Sequence, residues 1–413
     1  MALMATQNYK NTPRCLYAML LGLVGKPNVG KSTFFKAATL AQAATGNYPF
    51  VTIKPNHATA YVKTQCASTF FKVTPNPREG YVVDGWRFVP VDLMDVAGLV
   101  PGAHEGQGMG NAFLDDLRQA DVLIHVIDIS GSTNEKGEPV AVGSYDPKND
   151  ILFLETELDL WYYGILKKGW DKFARTVQQT HDDLTKALAK QLSGLKVTED
   201  MVKEALQRPE FSENPTAWSE DTIKLLTKIL REKSKPIIIA ANRIDMPTSA
   251  ENLVRIKAEF PQYTIIGTSA ESELALREAA KAKLISYVPG ESEFTVTGSV
   301  TEKQSQALDF IKNMLSTYQT TGIQQVLDHA VFNVLNFMPI FPGSANKLGD
   351  SDGNILPDCF LLPKGSTAYE FADRIHSDLA KGFIRAIDVK TKRTVGKDHV
   401  LQFGDVVEII SSK

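Results

Sequence analysis

The amino-acid sequence predicts an α/β fold with a mostly parallel sheet that carries helices on both faces. A largely apolar run over residues 16–24 precedes a glycine-containing loop, and a helix-compatible run over residues 33–40 follows it. Two further runs, residues 121–128 and 236–241, are almost entirely apolar, as expected of strands buried in a parallel sheet. These segments therefore form the centre of the predicted fold.

Length and composition set the outer limits of the interpretation. A chain of 413 residues predicts two or three domains, and 43% hydrophobic with 23% charged residues is ordinary for a globular protein. The net charge of −3 excludes a global basic field, so nucleic-acid contact must come from local patches and no DNA sequence readout is expected. The dispersed Cys15, Cys66 and Cys359 favour a reducing cytoplasm, and no apolar stretch reaches the length of a membrane span.

The loop after the first strand, residues 25–32, reads Gly-Lys-Pro-Asn-Val-Gly-Lys-Ser and fits the phosphate-binding pattern G-x-x-x-x-G-K-[ST]. Glycines let the backbone curl so that N–H groups point at phosphate oxygens, and the following helix N-terminus adds positive charge. The alternative is an ordinary glycine-rich turn. The predicted nucleotide contacts here are Gly25, Pro27, Asn28, Val29, Gly30, Lys31, Ser32 and Thr33. Lys31 is expected to reach the β- and γ-phosphates, and the Ser32 hydroxyl to bind Mg²⁺.

Two downstream segments predict the rest of the magnesium and γ-phosphate site. A strand over residues 87–94 ends in Asp95-Val96-Ala97-Gly98, in which Asp95 can hold a water on Mg²⁺ and the Gly98 N–H can sense the γ-phosphate. Residues 47–56 offer Thr52, whose hydroxyl can complete the Mg²⁺ shell when a γ-phosphate is present. The alternative for Thr52 is an ordinary side chain in a surface turn.

The strand at residues 236–241 ends in Asn242-Arg243-Ile244-Asp245, close to the N-K-x-D pattern that reads guanine. Asp245 can accept hydrogen bonds from the N1–H and 2-amino groups of guanine, whereas adenine would leave the carboxylate unpaired. Arg243 can cover the base face with its stem and planar head. A helix N-cap would explain Asp245 alone but not the spacing. Farther on, Ser269-Ala270 fits a backbone contact to the base O6.

Three long motifs together carry a family resemblance: residues 25–32, residues 47–56 and residues 95–118. The chain resembles the Obg superfamily of GTPases, most of all its YchF branch in the archaeal and eukaryotic form, and residues 356–410 are similar to a TGS domain. The resemblance implies a Mg²⁺-dependent enzyme that hydrolyses GTP to GDP and phosphate as a switch. Many relatives have an altered guanine motif and favour ATP, so the retained Asp245 points to GTP, and an ATPase of the same fold is the alternative.

The group that orients the attacking water is left open by the sequence. Leu99 stands where many GTPases carry a glutamine. His104 in the same segment can orient water or simply pack within the loop, and it joins Lys31, Thr52 and Gly98 in the predicted catalytic set. Asn28 matches an asparagine that holds K⁺ in some cation-activated GTPases, and its alternative role is to stabilise the loop.

The remaining segments predict the domain organisation. Residues 16–145 and 234–340 are expected to form the GTPase domain with a helical extension, and residues 146–233 an insertion of two or three helices, interrupted around Pro209 and Pro215. Residues 341–413 are expected to form a small α+β, β-grasp-like TGS domain, with short strands around one helix from Ala368 to Leu379. Basic side chains in the last domain form either a solvated rim or an RNA contact: Lys381, Arg385, Lys390, Lys392, Arg393 and Lys397. The resemblance favours contact of this domain with RNA or a ribosome, and the charged faces of the insertion are either solvated surfaces or a second docking arm. A binding module with negligible turnover and a small-molecule kinase are the remaining alternatives.

Overall fold

A computed structural model of the chain describes residues 19–40, 56–96, 116–344, 348–350 and 353–412. The strands, numbered in chain order within these ranges, are β1 (Leu20–Val24), β2 (His57–Gln65), β3 (Tyr81–Val83), β4 (Trp86–Asp95), β5 (Val122–Asp128), β6 (Ile237–Asn242), β7 (Thr264–Thr268), β8 (Ile285–Tyr287), β9 (Phe294–Val296), β10 (Phe337–Pro342), β11 (Phe360–Pro363), β12 (Phe383–Asp388), β13 (Arg393–Val395) and β14 (Val406–Ser411).

The α-helices of the described ranges alternate with these strands in the first part of the chain and cluster in its middle. They are α1 (Lys31–Thr39), α2 (Ser68–Phe71), α3 (Lys148–Lys167), α4 (Trp170–Thr180), α5 (Leu184–Gln191), α6 (Glu199–Leu206), α7 (Glu220–Ser234), α8 (Ser249–Glu259), α9 (Ala270–Lys281), α10 (Glu302–Tyr318), α11 (Ile323–His329), α12 (Ala368–Ile375) and α13 (Ser377–Lys381). Among the described residues, no helix is long and apolar enough to cross a membrane.

The main sheet has the strand order β2-β4-β1-β5-β6-β7, and β3 pairs with β4. The strands from β4 through β1, β5, β6 and β7 run parallel, whereas β2 and β3 pair antiparallel with β4. This arrangement confirms the predicted α/β class. Because parallel strands end at the same edge, the loops after β1, β4, β5, β6 and β7 meet there.

Side chains of the central strands alternate between two cores, one on each face of the sheet. In β6, Ile239 and Ala241 pack with α3 and α7, whereas Ile238 and Ala240 pack with α1 and α11. Both faces of β5 are buried, which explains why its sequence shows no polar alternation. The base of the insertion therefore covers one face of the sheet, although the boundaries of the domains stay a prediction.

The insertion is more divided than its sequence predicts. The structure gives five α-helices, α3 to α7, in this fully described segment, instead of two or three. Gly169 ends the first apolar run in a left-handed conformation with φ 89°, which favours glycine because it has no Cβ. Side chains of Asp183, Thr198 and Ser219 then accept backbone N–H groups and begin new helices. The predicted interruption around Pro209 and Pro215 lies between α6 and α7.

The C-terminal part forms a separate five-stranded sheet with the order β11-β10-β14-β12-β13. Its strand β10 already begins at Phe337, before residue 341. The single helix expected from Ala368 to Leu379 is wrong: it is split into α12 and α13, because His376 is extended and its imidazole Nδ1 accepts the Asp378 N–H at 3.1 Å. The small α+β architecture itself is confirmed.

Candidate nucleotide-binding site

The loop between β1 and α1 has the geometry of an anion cradle. Gly30 adopts φ 94°, and a Cβ there would lie 2.2 Å from Asn242 Nδ2, so a larger residue does not fit. A Cβ on Gly25 would lie 2.5 Å from the Val126 carbonyl oxygen. The nine-residue helix α1 has neither a side-chain cap nor an acidic residue in its first turn. Its N-terminal N–H groups are therefore available to a phosphate.

Lys31 joins this loop to the end of β4. Its ammonium forms an ion pair with Asp95 and donates to the Val96 carbonyl oxygen at 2.8 Å. The strands explain the proximity, since β1 and β4 are parallel neighbours with Leu23 opposite Asp95. The charged side chains that sequence reasoning assigned to phosphate and metal thus lie together.

The residues present fit a magnesium ion. Ser32 is exposed, and its hydroxyl has no hydrogen-bond partner in the part of the chain that the structure describes. The Asp95 carboxylate lies at the same sheet edge, paired with the neighbouring Lys31, so a hydroxyl oxygen is present as a ligand and a carboxylate is present to hold a metal-bound water. No group of three or more His, Cys, Asp or Glu side chains suited to a metal occurs in the described ranges. A site that relies on phosphate and water for its other ligands suits Mg²⁺.

Asn242 connects the phosphate loop to the segment after β7. Its side-chain amide donates to the Val29 carbonyl oxygen at 2.8 Å, and its Oδ1 accepts the Ala270 N–H at 3.0 Å. Ser269 is buried and caps α9 by accepting the Ser272 N–H. Asn242, Ser269 and Ala270 are thus brought together as predicted, but the Ala270 N–H already has a protein partner.

Arg243 links the turn after β6 to two other loops. Its Nη2 donates to the Asn28 carbonyl oxygen at 2.8 Å, and its Nη1 contacts Asp128 Oδ2 at 3.0 Å and Ser132 Oγ at 2.6 Å. Asp128 is fully buried at the end of β5 and also accepts hydrogen bonds from Ser130 and Thr133. The buried Asp128 carboxylate, whose charge the guanidinium balances, therefore holds the Arg243 side chain in place across the site.

Asp245 contrasts with these neighbours. It lies in the turn after β6, is partly exposed, and has no hydrogen bond or ion pair to any residue that the structure describes. The helix α8 begins after Thr248 and has no side-chain cap, so Asp245 does not serve as its cap, and the Ser249 hydroxyl donates to the Arg243 carbonyl oxygen at 2.7 Å. Because no described residue pairs with it, this carboxylate beside the anion cradle is suited to a ligand.

The other predicted residues divide into two groups. Pro27, Asn28 and Thr33 lie in or directly after the loop, and the Asn28 amide donates to the Gly137 carbonyl oxygen at 2.9 Å. This contact supports the loop-stabilising role of Asn28. Thr52, Gly98 and His104 lie outside the described residues, as does Leu99.

Sequence reasoning missed three charged residues that border the site: Lys26, Asp128 and Asp150. Asp128 could have been found, since it ends a buried parallel strand at the same edge as Asp95 and Asn242. The contact between Lys26 and Asp150 spans 124 positions and leaves no local pattern in the sequence.

Three known protein families match successive segments of the chain. Residues 20–155 match the family described as 50S ribosome-binding GTPase, residues 240–344 match the Obg-like GTPase YGR210-like, G4 motif-containing domain, and residues 352–411 match the TGS domain. A GTP-binding protein of Methanocaldococcus jannaschii is 48% identical, and the alignment covers 95% of this chain and 99% of that protein. The ribosome-binding ATPase YchF of Bacillus subtilis is 29% identical over 94% of this chain and 98% of that protein.

Solved structures agree with these relatives. The crystal structure of a GTP-binding protein from Pyrococcus horikoshii is 40% identical with a TM-score of 0.76, covering 95% of this chain and all of that one. The YchF GTPase of Schizosaccharomyces pombe shares the fold at 22% identity and a TM-score of 0.58, covering 95% and 97% of the two chains. With its phosphate loop, the turn after β6 and the C-terminal sheet in the predicted order, the chain belongs to the Obg-like GTPases, in the YchF branch that carries a TGS domain.

Proposed function

We propose that the protein is a Mg²⁺-dependent GTPase that converts GTP and water to GDP and phosphate. The observation that carries this proposal is the Asp245 carboxylate, which pairs with none of the described residues and lies at the same sheet edge as the phosphate loop. A guanine base offers that carboxylate two donors, at N1 and at the 2-amino group, whereas adenine offers none. The site therefore favours guanine through a group that is otherwise left without a hydrogen bond.

Each residue near the phosphates has a defined task in this proposal. The N–H groups of the Gly25–Gly30 loop and of α1 bind phosphate oxygens, and the Lys31 ammonium exchanges Asp95 for the β- and γ-phosphates. Ser32, Thr52 and Asp95, the last through water, would hold Mg²⁺, which when bound neutralises phosphate charge. Gly98 and His104 would contact the γ-phosphate and the attacking water.

Potassium is a weaker part of the scheme. The side-chain amide of Asn28 is committed to the Gly137 carbonyl oxygen, which supports a role in shaping the loop. If this loop-shaping contact is the whole role of Asn28, phosphate release should be equally fast in K⁺ and Na⁺ buffers of the same ionic strength. A large stimulation by K⁺ alone would restore Asn28 as a cation ligand.

An ATPase of the same fold is the second candidate, because several relatives are named ATPases. Competition between GDP and ADP, and between GTP and ATP, for the purified protein separates the two functions. We expect guanine nucleotides to bind at least about 10-fold tighter, since one charged hydrogen-bond acceptor distinguishes the bases. Tighter binding of ATP would overturn the assignment of Asp245.

We further propose that the nucleotide state controls contact with a ribosome or RNA. The Bacillus subtilis relative is named as ribosome-binding, and five of the six basic residues singled out in the C-terminal domain are exposed here: Lys381, Arg385, Lys392, Arg393 and Lys397. Lys390 differs, because its ammonium donates to the Gly404 carbonyl oxygen at 2.7 Å. Exposed cations of this kind can neutralise phosphates.

The ribosome proposal is tested by co-sedimentation of the full-length protein, loaded with GTP or GDP. We expect the two loaded forms to differ in ribosome binding and Arg385→Glu/Arg393→Glu to weaken it. Lys257→Glu/Lys281→Glu, at exposed positions on α8 and α9, is the matched control. If both charge-reversal variants bound ribosomes equally well, the basic face of the C-terminal domain would not be part of the interface.

A further inference from the structure

The second residue of the phosphate loop carries a buried charge. Lys26 is 5% exposed, and its ammonium donates to Asp150 Oδ1 at 2.8 Å and to the Thr133 carbonyl oxygen at 3.0 Å. It also lies 3.9 Å from the centre of the Tyr145 ring. All three partners belong to the segment that follows β5. Residues outside the cradle therefore hold the phosphate loop in place.

Asp150 belongs to the first turn of α3, the helix that leads into the insertion. Its Oδ1 also accepts the Tyr145 hydroxyl at 3.0 Å, and burial raises the pKa of this carboxyl to about 6. Farther along α3, Leu154 and Leu158 lie in the core between the insertion and the sheet. The ion pair therefore ties the phosphate loop to a 20-residue helix.

Residues 129–146, here termed the clamp loop, reinforce this tie. Besides Thr133 and Tyr145, the clamp loop supplies the Gly137 carbonyl oxygen to the Asn28 amide. Gly137 has φ 80°, and a Cβ there would lie 2.4 Å from the Pro27 carbonyl oxygen. The clamp loop thus lies against three consecutive residues of the phosphate loop, Lys26, Pro27 and Asn28.

Stability alone does not require an ion pair at this place. Removing one partner of a buried pair costs about 3–5 kcal/mol, but replacing both with apolar residues of similar volume is often neutral. An apolar pair would pack the same space without the directional contacts to Thr133 and Tyr145. The specific contribution of the charged pair is therefore geometric.

We propose that Lys26 and Asp150 are positioning residues that couple the phosphate loop to the leading helix of the insertion. Nucleotide binding and displacement of α3 then influence each other reciprocally. This inference rests on the proposed nucleotide site, and it assigns the insertion a direct mechanical connection to the phosphates. A partner that moves α3 would change nucleotide affinity without entering the site.

The test compares Lys26→Met/Asp150→Leu with a matched pair on the same helix. Arg231 and Asp159 form an ion pair between α7 and α3 at 2.8 Å, so Arg231→Met/Asp159→Leu is the control. We expect Lys26→Met/Asp150→Leu to unfold near the wild-type temperature but to bind a fluorescent GDP analogue about 10-fold more weakly, a loss of about 1.4 kcal/mol. The control should keep wild-type affinity. Wild-type affinity in Lys26→Met/Asp150→Leu would overturn the proposal.

Hydrogen exchange of the wild-type protein provides a second measurement in case Lys26→Met/Asp150→Leu does not fold. Addition of GDP should increase protection of the backbone at residues 145–154, with no change in the distant helix α10. Unchanged exchange at residues 145–154 would also overturn the coupling. If the wild type binds ADP and not GDP, the GTPase proposal fails, and the same comparison with ADP still decides the coupling.

Discussion

The phosphate end and the base end of the proposed nucleotide site are built in different ways. The phosphate end consists of backbone N–H groups, and its charged side chains are already paired, as between Lys31 and Asp95. The base end rests on one side chain, Asp245, that has no partner in the described part of the chain. Backbone contacts serve any nucleotide, whereas a single carboxylate distinguishes one base from another. Substitutions should therefore separate the rate of hydrolysis from base preference.

The largest effect is expected at the phosphate end. Lys31→Ala should lower kcat for GTP hydrolysis by at least about 100-fold, because it removes the cation that stabilises charge on the transferring phosphoryl group. Its preference for GDP over ADP should remain, since Asp245 is intact. Single-turnover phosphate release and competition binding measure the two quantities.

Lys36→Ala is the control for this substitution, because Lys36 is an exposed lysine on the same helix. Its rate should equal that of the wild type. If wild type and Lys31→Ala release phosphate equally slowly, the nucleotide is structural and the binding-module alternative is favoured.

The second effect belongs to the base end. Asp245→Asn should weaken GDP binding by about 10- to 100-fold, the loss expected for hydrogen bonds to a charged acceptor. Xanthine nucleotides should gain affinity, because their 2-oxo group accepts a hydrogen bond from the new amide. Displacement titrations with GDP, ADP and XDP report the change, and an unaltered preference for GDP would rule out the base-reading role.

Much of this site could be predicted because it depends on local order in the sequence. Gly30 and Lys31 follow a buried strand, and Asp95 and Asn242 end two others, so a parallel sheet brings them to one edge. The helix breaks of the insertion were less visible, since Gly169 interrupts an apolar pattern that continues on both sides. Sequence periodicity reports the buried face of a helix better than its ends.

The residues that fasten the site were not predictable in the same way. Lys26 and Asp150 meet only because the clamp loop returns across the phosphate loop. Lys26 occupies an unspecified position of the phosphate-loop pattern, and Asp150 belongs to no motif. Arg243 was expected to cover a base, and its contacts with Asp128 and the Asn28 carbonyl oxygen depend on three separate loops. Such long-range pairing follows from tertiary packing, which one sequence does not encode locally.

Asn242 contacts both the phosphate loop and the segment after β7. Its substitution should therefore affect the phosphate end and the base end together. Asn242→Ala removes the donor to the Val29 carbonyl oxygen and the acceptor of the Ala270 N–H. Two buried backbone groups lose their partner, so the free energy of unfolding should fall by about 1–3 kcal/mol. GDP and ADP should both bind more weakly, in contrast to Asp245→Asn. Denaturant unfolding measures the change in stability, and the same titrations measure the affinities for GDP and ADP. A loss of affinity for GDP alone would mean that Asn242 contacts the purine instead.

The smallest effect on nucleotide binding is expected at the opposite end of β6. Lys235 is fully buried just before that strand and donates to the carbonyl oxygens of Arg118 and Ala120. Burial lowers the pKa of Lys235 to about 7, from a model-compound value of 10.5. Between these values the unfolded chain binds the proton and the folded chain does not. The contribution of Lys235 to stability therefore rises with pH, by up to about 1.4 kcal/mol per unit.

Lys235→Met should remove that pH dependence and leave the nucleotide site unchanged. The difference in unfolding free energy between wild type and Lys235→Met should grow in favour of the wild type from pH 7 to pH 9. Parallel pH profiles of the two proteins would show that Lys235 is charged in the fold. Because Lys235 and Asn242 lie at opposite ends of one strand, GDP affinity should change only at the carboxyl end. Weaker GDP binding by Lys235→Met would mean that the two edges of the sheet are coupled. The phosphate and base ends alone would then not account for nucleotide affinity.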